Sequence, residues 1–261
     1  MLQNERFDEI YELLKERGSV TVPYLKKRLY VSEATLRRDL AEMEKQGLLT
    51  RVWGGAMLRT TEKDLPSFAR QKSRPEEKKK IAALAAGLLH HSISIFVDSS
   101  TSCLPLVPHL ATLRDLTVIT SSVQMAMLLT EETGAAVHLL GGQLYEGHIM
   151  TGCRAVEAVK GYHTDLMFFS CSGLNADGAW SIEPRVVEVN REAMKHTDRR
   201  VLLCDSSKFG KSALWRLAEM EETDLILSDA EPEDEALSCT LGGRLRVPGE
   251  KACKRRRGAT E

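Results

Sequence analysis

Near the N-terminus, apolar positions recur at helical spacing and then switch to alternation. Phe7, Ile10, Tyr11 and Leu14 stand at i, i+3, i+4 and i+7, the stripe of an amphipathic helix, which Gly18 can close in a left-handed cap. Residues 19–22 read as a short extended piece. Thr21 can cap a second, short helix over 23–29, with Pro23 in its first turn. After a tight turn at Tyr30 and Val31, Ser32 caps a third helix over 33–46, which buries Leu36, Leu40 and Met43 and ends at Gly47. Residues 48–53 alternate like a strand, Gly54 and Gly55 turn the chain, and 56–58 return. Three helices followed by a two-stranded ribbon make a winged helix-turn-helix.

From residue 76 the pattern becomes alternating helix and strand. Helices are expected over 80–90 (Ile81, Leu84, Ala85 and Leu88 facing inward), 101–110, 123–129, 153–161 and 184–196. Strands are expected over 93–97, 116–119, 137–140, 166–169, 201–204 and 225–227, the last of them. Short apolar runs alternating with helices predict a mostly parallel α/β sheet covered on both faces. Between the two regions, residues 59–75 are polar, hold Pro66 and Pro75, and read as a linker with room for a short helix. The expected division is therefore 1–58, a linker over 59–75, an α/β domain over 76–235, and a C-terminal segment over 236–261 whose basic end is disordered.

Charge changes the picture once it is divided. The whole chain of 261 residues has a formal net charge of -1, which argues against a nucleic-acid binder. Residues 21–59 alone hold 8 basic and 4 acidic side chains, residues 60–250 hold 20 and 27, and the tail from 251 holds 5 and 1. A basic head, an acidic middle and a basic tail cancel in the sum. No apolar run is long enough for a membrane span and the first residues lack a signal-peptide core, so a cytoplasmic protein is expected. The six cysteines form no C-x-x-C pair and are expected as free thiols, with no metal and no cofactor. His90-His91, at a helix end, reads as surface, and His138 as structural.

A helix-turn-helix puts the start of its second helix into the major groove. Ser32, Glu33, Thr35 and Arg38 occupy the first turns of that helix, and Arg can pair bidentately with guanine. Arg51 in the wing and Lys26, Lys27 and Arg28 on the preceding helix suit phosphates, or simply a solvated face. The run Val31-Ser-Glu-Ala-Thr-Leu-Arg-Arg-Asp-Leu40, with Gly47-Leu-Leu-Thr-Arg51 and Trp53-Gly-Gly-Ala56, resembles the DeoR family of bacterial transcriptional regulators. The resemblance adds Arg37, Trp53, Gly54 and Gly55 to the DNA-facing set. Trp53 stands where that family commonly has His. Asp39 reads as structural, paired with a neighbouring Arg.

In the second half the loops after the expected strands carry the chemistry. They are Asp98-Ser-Ser-Thr-Ser102, Thr120-Ser-Ser122, Gly141-Gly142, Ser170-Cys-Ser-Gly173 and Asp205-Ser-Ser-Lys-Phe-Gly210. In open α/β sheets ligands sit beyond the carboxyl ends of strands, and small residues there offer N–H groups to an anion. The candidate residues are Asp98, Ser99, Ser100, Thr101, Ser102, Thr120, Ser121, Ser122, Gly141, Gly142, Ser172, Gly173 and Lys208. Lys208 would give a point charge to a phosphate, and Asp98 would accept from sugar hydroxyls. Each serine could equally be a helix cap. These loops, with Lys79-Lys-Ile-Ala82 and Thr151-Gly152, also resemble the DeoR-family sensor domain, with Ser100 for Gly, Ser102 for Thr and Ser121 for Asn.

That resemblance implies a fold similar to ribose-phosphate isomerases, an operator DNA partner, a phosphorylated sugar or similar effector, and a homo-oligomer. The expected function is a repressor of a carbohydrate operon, not an enzyme. The related isomerases carry an Asp-Gly-x-Asp loop where residues 170–173 here hold no carboxylate. Two alternatives stand beside it: a DNA binder whose second domain only oligomerises, and a sugar-phosphate isomerase-like enzyme.

Overall fold

The computed structural model describes residues 2–17, 19–46, 48–52, 54–58 and 67–249. Gly18, Gly47, Trp53, most of the linker and the basic tail, each assigned a role above, lie outside the described residues. The chain divides into two compact units, Met1–Ser73 and Arg74–Glu261.

The first unit runs α1 (Gln3–Arg17), β1 (Ser19–Thr21), α2 (Val22–Leu29), α3 (Glu33–Lys45), β2 (Leu49–Val52), β3 (Gly55–Leu58) and α4 (Ser67–Lys72). The caps are those expected: Thr21 Oγ1 accepts from the Tyr24 N–H at 3.3 Å and Ser32 Oγ from the Thr35 N–H at 3.1 Å. Ile10, Leu14, Leu25, Leu36, Leu40 and Met43 close a single core with Val20, Leu49 and Ala56. The extended piece at 19–21 does more than connect helices. It pairs antiparallel with β3, Val20 opposite Ala56, so the wing is a three-stranded sheet in the order β1-β3-β2. A Cβ at Gly55 would lie 2.2 Å from the Val20 carbonyl oxygen, so only glycine allows this approach.

The second unit continues with α5 (Pro75–Ala86), β4 (Ser94–Val97), α6 (Val107–Leu110), β5 (Thr117–Thr120), α7 (Val123–Glu132), β6 (Ala136–Leu139), β7 (Gln143–Tyr145), β8 (Ile149–Thr151), α8 (Cys153–Val159), β9 (Thr164–Phe169), β10 (Gly173–Asn175), β11 (Gly178–Ser181), α9 (Pro184–Lys195), β12 (Thr197–Leu203), β13 (Trp215–Ala218), β14 (Leu225–Leu227), α10 (Glu235–Leu241) and β15 (Leu245–Arg246). Seven strands form a wholly parallel sheet in the order β15-β14-β12-β9-β4-β5-β6.

Alternate strand residues face opposite layers. Phe96, Ile119, Met167, Phe169 and Leu202 pack with Val159, Val187, Ala193 and Leu237 from α8, α9 and α10. Ile95, Val97, Val118, Phe168 and Val201 pack with Ile81, Ala85, Val107 and Leu129 from α5, α6 and α7. Burial on both faces explains why the strands read as unbroken apolar runs.

Several boundaries differ from the expected ones. Helix α5 starts at Pro75, not 80, because proline with Glu76 and Glu77 in the first turn is itself a helix start. It ends at Ala86, so Leu88 packs from the turn beyond it. The expected helix over 101–110 is a 3-10 turn at Leu104–Leu106 and then α6, with a proline early in each. The sheet does not end at β14, since β15 adds to its edge. The β7–β8 hairpin and an antiparallel sheet in the order β10-β11-β13 were not expected. No helix among the described residues is long and apolar enough to cross a membrane.

Candidate functional site

Helix α3 presents its start with the side chains partly committed. Ser32 Oγ and Thr35 Oγ1 lie 2.8 Å apart and share one hydrogen bond besides the cap. Glu33 Oε1 accepts from Arg37 Nη2 at 2.7 Å and Nε at 3.2 Å. Arg38 is exposed and, among the described residues, makes no hydrogen bond or ion pair, so its five donors stay available to a ligand. Asp39 pairs with an arginine, but not one nearby in sequence: both its oxygens are held by Arg6 of α1, at 2.6 and 3.0 Å.

In β2, Arg51 lies beside Glu44, whose carboxylate also accepts the Arg51 backbone N–H at 2.8 Å. Gly54, at φ +79, turns the wing in open space, whereas Gly55 serves the β1–β3 contact. Lys26 and Lys27 are exposed, and Arg28 reaches Glu9 at 3.5 Å. Tyr30, expected only as a turn residue, is 92% exposed in the left-handed region (φ 54) between α2 and α3.

At the other unit, β12, β9, β4, β5 and β6 are consecutive in a parallel sheet, so their carboxyl-end loops line one edge of it. Those after β4, β9 and β12 converge on Lys208. Its Nζ lies 3.3 Å from Ser102 Oγ, 3.1 Å from Ser170 Oγ and 3.2 Å from Asp205 Oδ2. Ser170 donates its own proton to the Leu203 carbonyl at 2.6 Å, which turns a lone pair toward the ammonium. Burial, the largest single effect, would lower the Lys208 pKa, yet Asp205 together with the neighbouring Cys171 and Cys204 holds it above the ordinary lysine value. Burial likewise opposes ionisation of Asp205, but Lys208, Ser207 and Arg74 keep its pKa below the ordinary carboxylate value. The result is a charged lysine beneath two hydroxyls.

The loop after β4 adds donors. Among the described residues, the backbone N–H groups of Ser99, Thr101 and Ser102 have no acceptor. Lys78 Nζ lies 3.3 Å from Thr101 Oγ1 on the same loop. A lysine, a serine hydroxyl and open backbone donors are what a phosphate requires.

Other candidates have different tasks. Asp98 is not free for a sugar. Its Oδ1 accepts from the Ser100 N–H at 2.8 Å and the Cys103 thiol at 3.2 Å, and its Oδ2 from the Ser170 N–H at 3.0 Å and Asn190 Nδ2 at 3.3 Å. It ties two loops together. Thr120 and Ser122 are buried: Thr120 Oγ1 accepts from the Ser122 N–H, and Ser122 Oγ caps α7 at the Met125 N–H. Ser121 is buried too, and its carbonyl accepts from Met150 of β8. Gly142 and Gly173 are packing requirements, since a Cβ at either would lie 2.5 Å from a carbonyl oxygen, of Thr151 and Lys211 respectively. Gly141 is exposed, and the Ser172 N–H bonds the Trp180 carbonyl at 2.7 Å.

Lys78 and Asn190 were missed, although the sequence held a sign of each. Lys78 stands on the stripe of Ile81, Ala82 and Ala85, and Asn190 on that of Val187 and Met194. A polar residue in an apolar stripe calls for a buried partner. Lys78 precedes residue 80, where the apolar pattern alone begins the helix, and so falls outside the expected stripe.

A family model described as the DeoR-like helix-turn-helix domain matches residues 6–62, and one described as the DeoR C terminal sensor domain matches residues 73–230. The chain is 33% identical over 234 residues to the HTH-type transcriptional repressor GlcR of Bacillus subtilis (strain 168), covering 89% of this chain and 90% of that one. It is 28% identical over 235 residues to the glycerol-3-phosphate regulon repressor of Escherichia coli (strain K12), covering 89% and 93%. Among solved structures, a D-ribose-5-phosphate isomerase in complex with phospho-erythronic acid aligns at TM-score 0.40 and 13% identity over 52% of this chain and 54% of that one. A Pyrococcus horikoshii translation initiation factor eIF-2B aligns at 0.43 and 12% over 87% and 82%.

Proposed function

We infer the function from one premise: this chain belongs to the DeoR family of transcriptional regulators. It binds operator DNA through α3 and the wing, and it represses a carbohydrate operon until a phosphorylated sugar or related metabolite occupies the second unit. The observation that carries the effector assignment is the charged Lys208 set against Ser102 and the open N–H groups of the loop after β4. The relative named for a glycerol-3-phosphate regulon supports a phosphate ester. Asp98 is spent on four protein donors and Asp205 on Lys208, so neither is free to act as the base an isomerase needs, which supports a sensor without turnover.

A phosphate reaching Lys208 competes with Asp205 for its donors. It shifts the operator-competent population only by the difference in its affinity for the two states. The protein acts in the cytoplasm, beside the chromosome, and as a homo-oligomer, since helix-turn-helix proteins read paired half-sites. The exposed Leu139 on edge strand β6, with Met127 on α7, supports a second copy as neighbour.

Lys208→Ala tests the effector site. Losing a charge-assisted contact worth about 1.5–3 kcal/mol should weaken sugar-phosphate binding by roughly ten- to a hundredfold, read as a shifted calorimetric titration, while operator affinity without effector stays unchanged. Equal effector affinity in the variant would remove Lys208 from the site, and a second domain that only oligomerises would give no titration in either protein.

A further inference from the structure

Two thiols meet at the edge of this site without a task in it. In the parallel register of β9 and β12, Phe169 stands opposite Leu202, and two residues further along come Cys171 and Cys204. Their sulfurs are 3.8 Å apart in a shared hydrogen bond. Neighbouring strands run about 4.8 Å apart, inside the window of about 4.4–6.8 Å that a disulfide needs between Cα atoms. Closing the gap to about 2.05 Å draws the loops that follow β9 and β12 together. The pair is also asymmetric. Cys171 is 8% exposed and Cys204 is 0% exposed. Cys171 donates to Cys204, and Cys204 to the Asp205 carbonyl at 3.6 Å. The contact with Cys204, helped by the Lys208 charge, lowers the Cys171 pKa against the effect of burial, while the contact with Cys171 and burial raise that of Cys204. Cys171, the more exposed of the two, is the thiol an oxidant reaches first, and Cys204 the partner that resolves it.

We propose that Cys171 and Cys204 form a peroxide-sensitive dithiol, through which an oxidant alters the same domain that binds the effector. The Cys171 thiolate attacks one oxygen of hydrogen peroxide. An S–O bond forms, the O–O bond breaks, and the departing hydroxide takes up the proton released by Cys171 to become water. The Cys204 sulfur then attacks the sulfenic sulfur of Cys171. The S–S bond forms, the S–O bond breaks, and the hydroxyl leaves as a second water with the Cys204 proton. Two thiols are oxidised, one peroxide is reduced, and a cytosolic thiol pool reverses the step. Ser170 directly precedes Cys171 and Lys208 follows Cys204 within the same loop, so the new bond displaces both partners of the Lys208 contact.

The test starts with the reduced full chain, titrates hydrogen peroxide, alkylates the remaining thiols after unfolding, and maps peptides by mass spectrometry. A linked Cys171–Cys204 peptide is expected at doses that leave the exposed Cys153 and Cys239 alkylated, with reversal by dithiothreitol. In Cys204→Ser, Cys171 should stop as a sulfenic acid that dimedone captures; in Cys171→Ser, Cys204 should stay reduced. Oxidation of Cys153 or Cys239 ahead of an intact Cys171 and Cys204 overturns the proposal, as does a Cys204→Ser protein that takes up no dimedone at Cys171. This readout does not depend on the effector. A second one does: in the oxidised protein the sugar-phosphate titration should weaken at least tenfold, and loss of that arm alone would count against the effector reading rather than the dithiol.

Discussion

An Arg6→Ala variant is expected to lose operator binding because its N-terminal unit comes apart, although Arg6 is on α1 and not on the helix proposed to read DNA. Asp39 lies on α3 between the inward residues Leu36 and Leu40, with a side chain 2% exposed against 13% for Arg6. Arg6 supplies a two-pronged contact that satisfies both carboxylate oxygens. Removing it leaves a buried charge with only the long Gln3 contact at 3.5 Å, a loss of about 3–5 kcal/mol. A unit of this size has little more than about 5 kcal/mol to lose. Removing Asp39 instead should cost less, because Arg6 is nearer to solvent and can turn outward. The pair therefore fixes α1 against α3 more than it adds net stability, and Arg6→Met combined with Asp39→Leu should recover most of the loss. Hydrogen exchange read by mass spectrometry resolves the unit from the rest of the chain. In Arg6→Ala the amides of α1 and α3 should exchange at least a hundredfold faster while β9 and β12 keep their protection. Wild-type exchange in α1 would contradict this role for the pair.

Arg38→Ala should produce the largest loss of affinity that leaves the fold intact. Its guanidinium is unengaged among the described residues, whereas Arg37 is held by Glu33 one helical turn back. A bidentate contact to a base edge is worth about 1–3 kcal/mol of discrimination, so operator affinity should fall from severalfold to more than a hundredfold and selectivity should relax at one base position. Arg37→Ala should cost less and change the salt dependence instead, as loss of a phosphate contact does. Competition binding with base-substituted operators, at fixed salt, separates the two. If Arg38→Ala weakens all sequences equally, or less than Arg37→Ala does, then α3 lies in the groove with another face than the one assigned.

What could be read from the sequence is what short-range chemistry decides. The stripes of α1 and α3, the caps at Thr21 and Ser32, and the unbroken apolar runs of β4, β9 and β12 each declare themselves within a few residues. Long-range pairing does not. Nothing in Gly178–Ser181 reveals that it lies between β10 and β13, and the two residues of β15 are too few to carry a period. The site was legible as a set of loops at strand ends, because parallel strands bring those ends to one edge. Which hydroxyl faces a ligand and which caps a helix was not legible: Ser102 and Ser122 look alike in sequence, but one meets Lys208 and the other closes α7. Asp98 looked like a sugar contact because its four donors come from residues 100, 103, 170 and 190.

The most direct test titrates the operator complex of the wild-type protein with small sugar and polyol phosphates, each beside its unphosphorylated parent, and follows operator occupancy together with the melting temperature of the free protein. At least one phosphorylated compound should release the operator saturably and raise the melting temperature by mass action, while its parent does neither. No change in occupancy or melting with any of them would contradict a regulator controlled by a phosphate ester at Lys208.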